Sequence, residues 1–318
     1  MEFVTRLASS AAQYPLPIHG HLQWQPAGAG DWYTEVSLPA LPAEHIVVPS
    51  FSQLSPSSSR FQFALSVQGH DFLLNPVPAT LQDRPAALDA TLISTHIDCW
   101  HTHASIDSAR LRLWVRQTPK PEHYLMTCTA RPLQLDVEDI PLPPAIHVQA
   151  EVPAYLSQMS AAEQIRHRIC SPTALSMALS HWHTDIDWPG ITAGCLDPLT
   201  GAYGSWPLAI REAAQLGHLG AVECCDQWHE IVRCLQQGFP VVCSIRFEAG
   251  TLRGAPLSAT AGHLVVLYGL DHHQVQVRDP AGATSAEVDR RWDVKEFARA
   301  WLQRRGAAYI LGPPVSWD

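Results

Sequence analysis

Hydrophobic and polar residues repeat along this chain with two different periods, and the change between them divides it. Up to about residue 140 the pattern is one of short extended segments bounded by Pro, Gly and Ser clusters. Candidate strands are Trp32–Leu38, His45–Val48, Phe61–Val67, Thr91–Trp100, Arg110–Val115 and His123–Thr129. The run Arg110-Leu111-Arg112-Leu113-Trp114-Val115-Arg116 alternates polar and apolar residues with period two, the mark of a half-buried strand. No helical pattern interrupts the series. An all-β sandwich or jelly roll over residues 1–145 follows.

Asp139-Ile140-Pro141-Leu142-Pro143-Pro144 reads as the domain boundary, because Pro-rich stretches favour extended spacers. Beyond it the period lengthens. Leu175, Ala178, Leu179 and Trp182 share one face of a helix starting near Pro172, a residue suited to a first helical turn. Trp206–Leu216 and Trp228–Gln237 also read as helices, closed by Gly217 and Gly238. Pro240–Phe247, His263–Leu270, Gln274–Arg278 and Ala308–Leu311 read as strands. Residues 146–318 are therefore expected to form an α+β domain.

Composition narrows the function classes. The 318 residues are 46% hydrophobic and 16% charged, which suits two globular domains. A net charge of −9, with 21 Lys and Arg scattered along the chain, argues against nucleic-acid binding. No apolar run approaches the roughly 18 residues of a membrane span. The start, Met1-Glu2-Phe3-Val4-Thr5-Arg6, does not read as a secretory signal, so a cytoplasmic location is expected. Eight cysteines without a CxxC pair indicate neither a disulfide scaffold nor a zinc ribbon. Adjacent Cys224 and Cys225 read as buried small hydrophobes.

Candidate chemistry centres on Cys170, in Ile169-Cys170-Ser171-Pro172-Thr173, immediately before a helix. Unpaired N–H groups and the dipole at a helix N-terminus favour the thiolate, which is the nucleophilic form. His263 opens an apolar strand and Asp279 closes the next one. A short turn near Asp271-His272-His273 would bring both to one sheet edge, where the carboxylate could orient the imidazole for the thiol.

Several further motifs resemble the C39-like peptidase family. They are Tyr155-Leu156-Ser157-Gln158, Ile169-Cys170-Ser171-Pro172-Thr173 and Gly201-Ala202-Tyr203-Gly204-Ser205-Trp206-Pro207. Gly238-Phe239-Pro240-Val241-Val242, Gly262-His263-Leu264-Val265-Val266 and Asp279-Pro280-Ala281 continue the series in the family's order over about residues 150–312. The resemblance implies a papain-like fold and cofactor-free hydrolysis of peptide or protein substrates through a thioester. Carried over by motif, Cys170 would be nucleophile, His263 base and then acid, and Asp279 orienting carboxylate. Two glutamines compete as oxyanion donor. Gln164 stands six residues before Cys170, as is common in papain-like enzymes, whereas Gln158 sits in the Ser-Gln pair of this subfamily and is favoured. The backbone N–H of Cys170 would be the second donor.

The chain also departs from the pattern. Arg278 stands where relatives usually have Asn, and could compete for Asp279, although strand alternation should turn it to the other face. Ser205 replaces an Asn before Trp-Pro, and His167-Arg168-Ile169 an aromatic before the cysteine. These departures keep a vestigial binding module open as a rival, beside a thiol amidase or transamidase. Cys99, His101 and His103 alternate at metal-ligand spacing, but no fourth ligand is evident, so no metal site is expected. His181 and His183 read as partners of the last carbonyls of the nucleophile helix.

Overall fold

The computed structural model describes residues 3–28, 30–54, 59–83, 91–116, 119–140, 142–144 and 146–315. Among the described residues, ten strands lie within the first 132 positions: β1 (Phe3–Ala8), β2 (Gln25–Pro26), β3 (Asp31–Leu38), β4 (His45–Gln53) and β5 (Arg60–Val67), then β6 (His70–Leu73), β7 (Ile93–Thr95), β8 (Trp100–Thr102), β9 (Ala109–Arg116) and β10 (Tyr124–Pro132). They form two antiparallel sheets, ordered β1-β10-β4-β8-β7 and β2-β3-β9-β5-β6. Phe51, Trp100 and Met126 from the first share one core with Phe63, Leu65 and Leu113 from the second. The alternation read in β9 is realised, with Leu111, Leu113 and Val115 buried. Thr91–Trp100 is not one strand but a hairpin of β7 and β8, because the N–H of His96 turns back to the carbonyl of Cys99 at 2.9 Å. Of the Pro-rich boundary, Pro141 lies outside the described residues, as does Ala145 next to it.

The second half opens with β11 (Val148–Gln149), followed by α1 (Cys170–Leu179), α2 (Trp188–Gly194), α3 (Trp206–Gln215), β12 (His218–Cys224) and α4 (His229–Gln236). It continues with β13 (Val241–Phe247), β14 (Thr260–Leu270), β15 (Gln274–Arg278), β16 (Asp289–Asp293), α5 (Val294–Trp301) and β17 (Ala307–Pro314). Its seven-stranded sheet runs β12-β17-β13-β14-β15-β16, with β11 pairing β14. Alternate residues of one strand enter cores on opposite faces. Val242 and Val266 pack with Leu175 and Ala213 of α1 and α3, while Cys243 and Val265 pack with Leu235 and Phe297 of α4 and α5. Gly217 and Gly238 close α3 and α4 with φ of +89° and +83°, a conformation costly for other residues.

The two halves meet through β12, whose free edge would otherwise present unpaired N–H groups. Hydroxyls of the first half accept them instead: Ser52 from Gly220 at 3.1 Å, Ser50 from Val222 at 3.0 Å and Thr129 from Cys224 at 3.1 Å. Beside this row, Arg6 of β1 binds both carboxylate oxygens of buried Glu223 at 2.8 and 2.6 Å and also pairs with Glu230. Arg131 of β10, itself buried, donates to the carbonyls of Cys225 and Leu302 at 2.7 and 2.8 Å.

Candidate active site

The first turn of α1 is fixed before any chemistry is considered. Ser171 is buried and its hydroxyl meets that of Tyr309 on β17 at 2.8 Å. The hydroxyl of Thr173 donates to the carbonyl of Ile169 at 2.7 Å and accepts from the indole of Trp188 at 3.1 Å. These contacts hold the helix end against the sheet, so that Cys170, its first residue and half-buried, faces β14. There His263 stands opposite Ile245 of β13. The turn at Asp271 pairs Val266 with Arg278, which carries Asp279 to the level of His263. His263 Nε2 donates to Asp279 Oδ1 at 2.6 Å, and both side chains are almost fully buried. The same oxygen accepts the N–H of Ala281 at 2.8 Å.

Electrostatics follow from that packing. Burial alone would drive the imidazole neutral, but Asp279, together with the Cys170 sulfur, raises His263 from the ordinary 6.5 to about 10. Burial alone would raise the Cys170 thiol. A hydrogen bond from His263, its charge, and the N–H groups of Leu264 and Ser171 reverse this, leaving the thiol below its ordinary value. Burial pushes the thiols of Cys99, Cys128, Cys195, Cys234 and Cys243 up, and Cys224 to about 12. The arrangement therefore favours a thiolate–imidazolium pair more than an isolated thiol and imidazole would.

The two glutamines are placed very differently. Gln164 is exposed. Gln158 is buried and bridges the loops that carry the other residues. Its N–H donates to the carbonyl of Pro280 at 2.9 Å, and its side-chain amide donates to the carbonyl of Arg166 at 2.7 Å, in the loop entering α1. Ser157 donates to the carbonyl of Gly282 at 2.5 Å. The Gln158 amide oxygen is buried without a partner.

The departures from the motif pattern find partners of their own. Arg278 does not compete for Asp279. Its guanidinium lies between the rings of Tyr155 and Tyr268, 4.0 and 4.4 Å from their centroids, and pairs with Asp289. Ser205 precedes α3 without capping it by its side chain, and Asp98 from the β7–β8 turn accepts the N–H of Trp206 at 3.4 Å. Arg168 stacks on Tyr203, 5.7 Å from the ring centre, and donates to the carbonyl of Gly201.

The remaining polar clusters serve local ends. Cys99 Sγ lies 3.9 Å from His101 Nε2, and His103 meets the Ser94 hydroxyl at 3.0 Å. Among the described residues no three His, Cys, Asp or Glu side chains converge as metal ligands. His181 and His183 do not use their rings on the carbonyls ending α1. His181 contacts the carbonyl of Glu151 at 2.9 Å, and His183 meets His218 at 2.6 Å, because α1 ends where β12 and the segment before α1 converge on it.

A family model described as the Peptidase_C39 like family matches residues 151–309, half of the chain. The chain belongs to the C39-like peptidase family. The match covers all four residues of the candidate site. Two solved structures are similar at 18% identity. One is a double glycine motif protease from an AMS/PCAT transporter in complex with the leader peptide, with a TM-score of 0.35 over 54% of this chain and 97% of that one. The other is a putative C39-like peptidase from Bacillus anthracis, with a TM-score of 0.39 over 54% of this chain and 99% of that one. No curated protein matches. Among the described residues, no helix of this C39-like chain is long and apolar enough to cross a membrane.

Proposed function

We propose that the chain is a cysteine peptidase that cleaves peptide bonds through Cys170, His263 and Asp279, with Gln158 and the Cys170 N–H as oxyanion donors. One observation carries this reading. The half-buried thiol at the start of α1 has its acidity raised by an imidazole that is itself held by a buried carboxylate at 2.6 Å. The Cys170 thiolate adds to the carbonyl carbon, and the developing oxyanion is met by N–H donors. The C–N bond then breaks as imidazolium His263 gives its proton to the leaving amine, leaving a thioester. Neutral His263 next takes a proton from water, hydroxide adds to the thioester, the C–S bond breaks, and the acid product leaves the ion pair restored. No metal or organic cofactor enters these steps. The first 145 residues act as an accessory β-sandwich that covers the edge of the peptidase sheet.

Two contacts favour an active site over a vestigial one: Arg278 is engaged away from Asp279, and Asp98 meets the start of α3 beside Ser205. The test is Cys170→Ala assayed on a mixed peptide library. Hydrolysis should fall at least about 10³-fold with an unchanged melting temperature. Hydrolysis retained by a folded variant would assign the chemistry elsewhere.

A further inference from the structure

We propose that Arg278 is a positioning residue for the oxyanion donor, clamping the segment that bears Gln158 to the strand that delivers Asp279. This rests on the peptidase reading above. Arg278 ends β15 and Asp279 follows it directly, and their side chains turn to different partners. Asp279 turns to His263. Arg278 turns to residues 152–155, donating to the Tyr155 hydroxyl at 2.8 Å and the Val152 carbonyl at 3.4 Å. On its other side it donates to the Tyr268 hydroxyl at 3.0 Å and pairs with Asp289. The two flanking rings complete the clamp.

The clamp matters because Tyr155 is 45% exposed and its hydroxyl and ring both meet Arg278. The neighbouring ties of the segment, from the Ala154 N–H to Ser180 Oγ at 3.1 Å and from the Leu156 N–H to Met177 Sδ at 3.4 Å, run to α1. Three residues beyond Tyr155, Gln158 spans the Pro280 turn and the Arg166 loop. Two consecutive residues at the end of β15 thus hold the approach to the amide donor with one side chain and the base with the next. Release of the guanidinium would loosen the stretch around Tyr155 that leads into Gln158, while Cys170, His263 and Asp279 keep their contacts. An offset of about 1 Å at a donor is enough to slow acyl transfer.

The experiment is a double-mutant cycle on a cleavable peptide with R278Q, Q158A and the pair. R278Q should lower kcat about 10–100-fold with KM changed less than about threefold. R278K should not rescue it, since an ammonium lacks the planar fork. The double variant should be no slower than Q158A alone. The rate and pH dependence of Cys170 alkylation should match the wild type in R278Q. Multiplicative losses in the double variant, or an altered alkylation profile, would overturn the clamp. Should R278Q fail to fold, Tyr155→Phe repeats the cycle by removing one contact, with a smaller kcat loss expected and the same non-additivity required. An inactive wild type, or a Cys170→Ala variant that still cleaves, sinks the peptidase reading itself rather than the clamp.

Discussion

At the scale of single residues, the His263–Asp279 contact makes the sharpest prediction. A raised imidazole pKa means that binding of the proton stabilises the fold fully below about pH 6.5, and that this stabilisation is lost as pH rises through about 10. The lowered Cys170 thiol works in the other sense: its contribution is present above the ordinary thiol value and is lost as pH falls. Hydrolysis should therefore fall in acid as the thiolate protonates, and fall in alkali toward pH 10 as His263 loses its proton. Asp279→Asn keeps the shape and removes the charge. Its alkaline limb should move at least one unit toward neutrality, and iodoacetamide at pH 6 should label Cys170 at least about tenfold more slowly than in the wild type. Unchanged labelling would mean that the carboxylate does not govern the pair. The place of Cys170 at the start of α1 and the meeting of His263 with Asp279 were legible from the helix and hairpin patterns, but β14 begins at Thr260, so His263 lies inside the strand rather than opening it. The use of Arg278 was not legible, because alternation tells which way a side chain turns and nothing about the tyrosines it meets.

At the scale of elements, helices α3 and α4 were readable from their apolar faces and closing glycines, and α1 from Pro172 and its apolar positions, although it is buried nearly all round and ends without a glycine. Helix α5 was missed although Asp293, three positions before Glu296, accepts the N–H groups of Lys295 and Glu296 as an N-cap. Strand β4 was cut short at Val48 because Pro49-Ser50-Phe51-Ser52 has the composition of a loop. Its serines are buried partners of β12, a context that lies 168 and 172 residues away in the chain and leaves no local trace. The join between α5 and β17 carries a second prediction. Gly306 has φ of +60°, and a methyl group there would run into the Cys225 carbonyl and the Arg131 guanidinium. Gly306→Ala should cost about 3–5 kcal/mol in urea unfolding, because the buried cation loses its carbonyl partners. A change below about 1 kcal/mol would show that Arg131 can re-seat.

At the scale of the whole molecule, the halves are joined by polar contacts that neither can satisfy alone. A fragment starting at residue 146 would bare the β12 edge, leave Glu223 and Glu230 without Arg6, and expose Leu219 and Ala221, which pack on Ala8 and Leu125. It should aggregate or lose its cooperative melting transition, as judged by gel filtration and circular dichroism. A monomeric fragment with a sharp transition would refute this dependence. The distribution of sulfur over the molecule has a final consequence. Cys170 is partly accessible and activated, while the other seven cysteines are buried. Peroxide would meet that one thiolate first, and the sulfenic acid formed has no neighbouring thiol at the surface with which to condense into a protective disulfide. Inactivation by oxidant should thus be repaired by added reductant only early, before the sulfur passes to the sulfinic state.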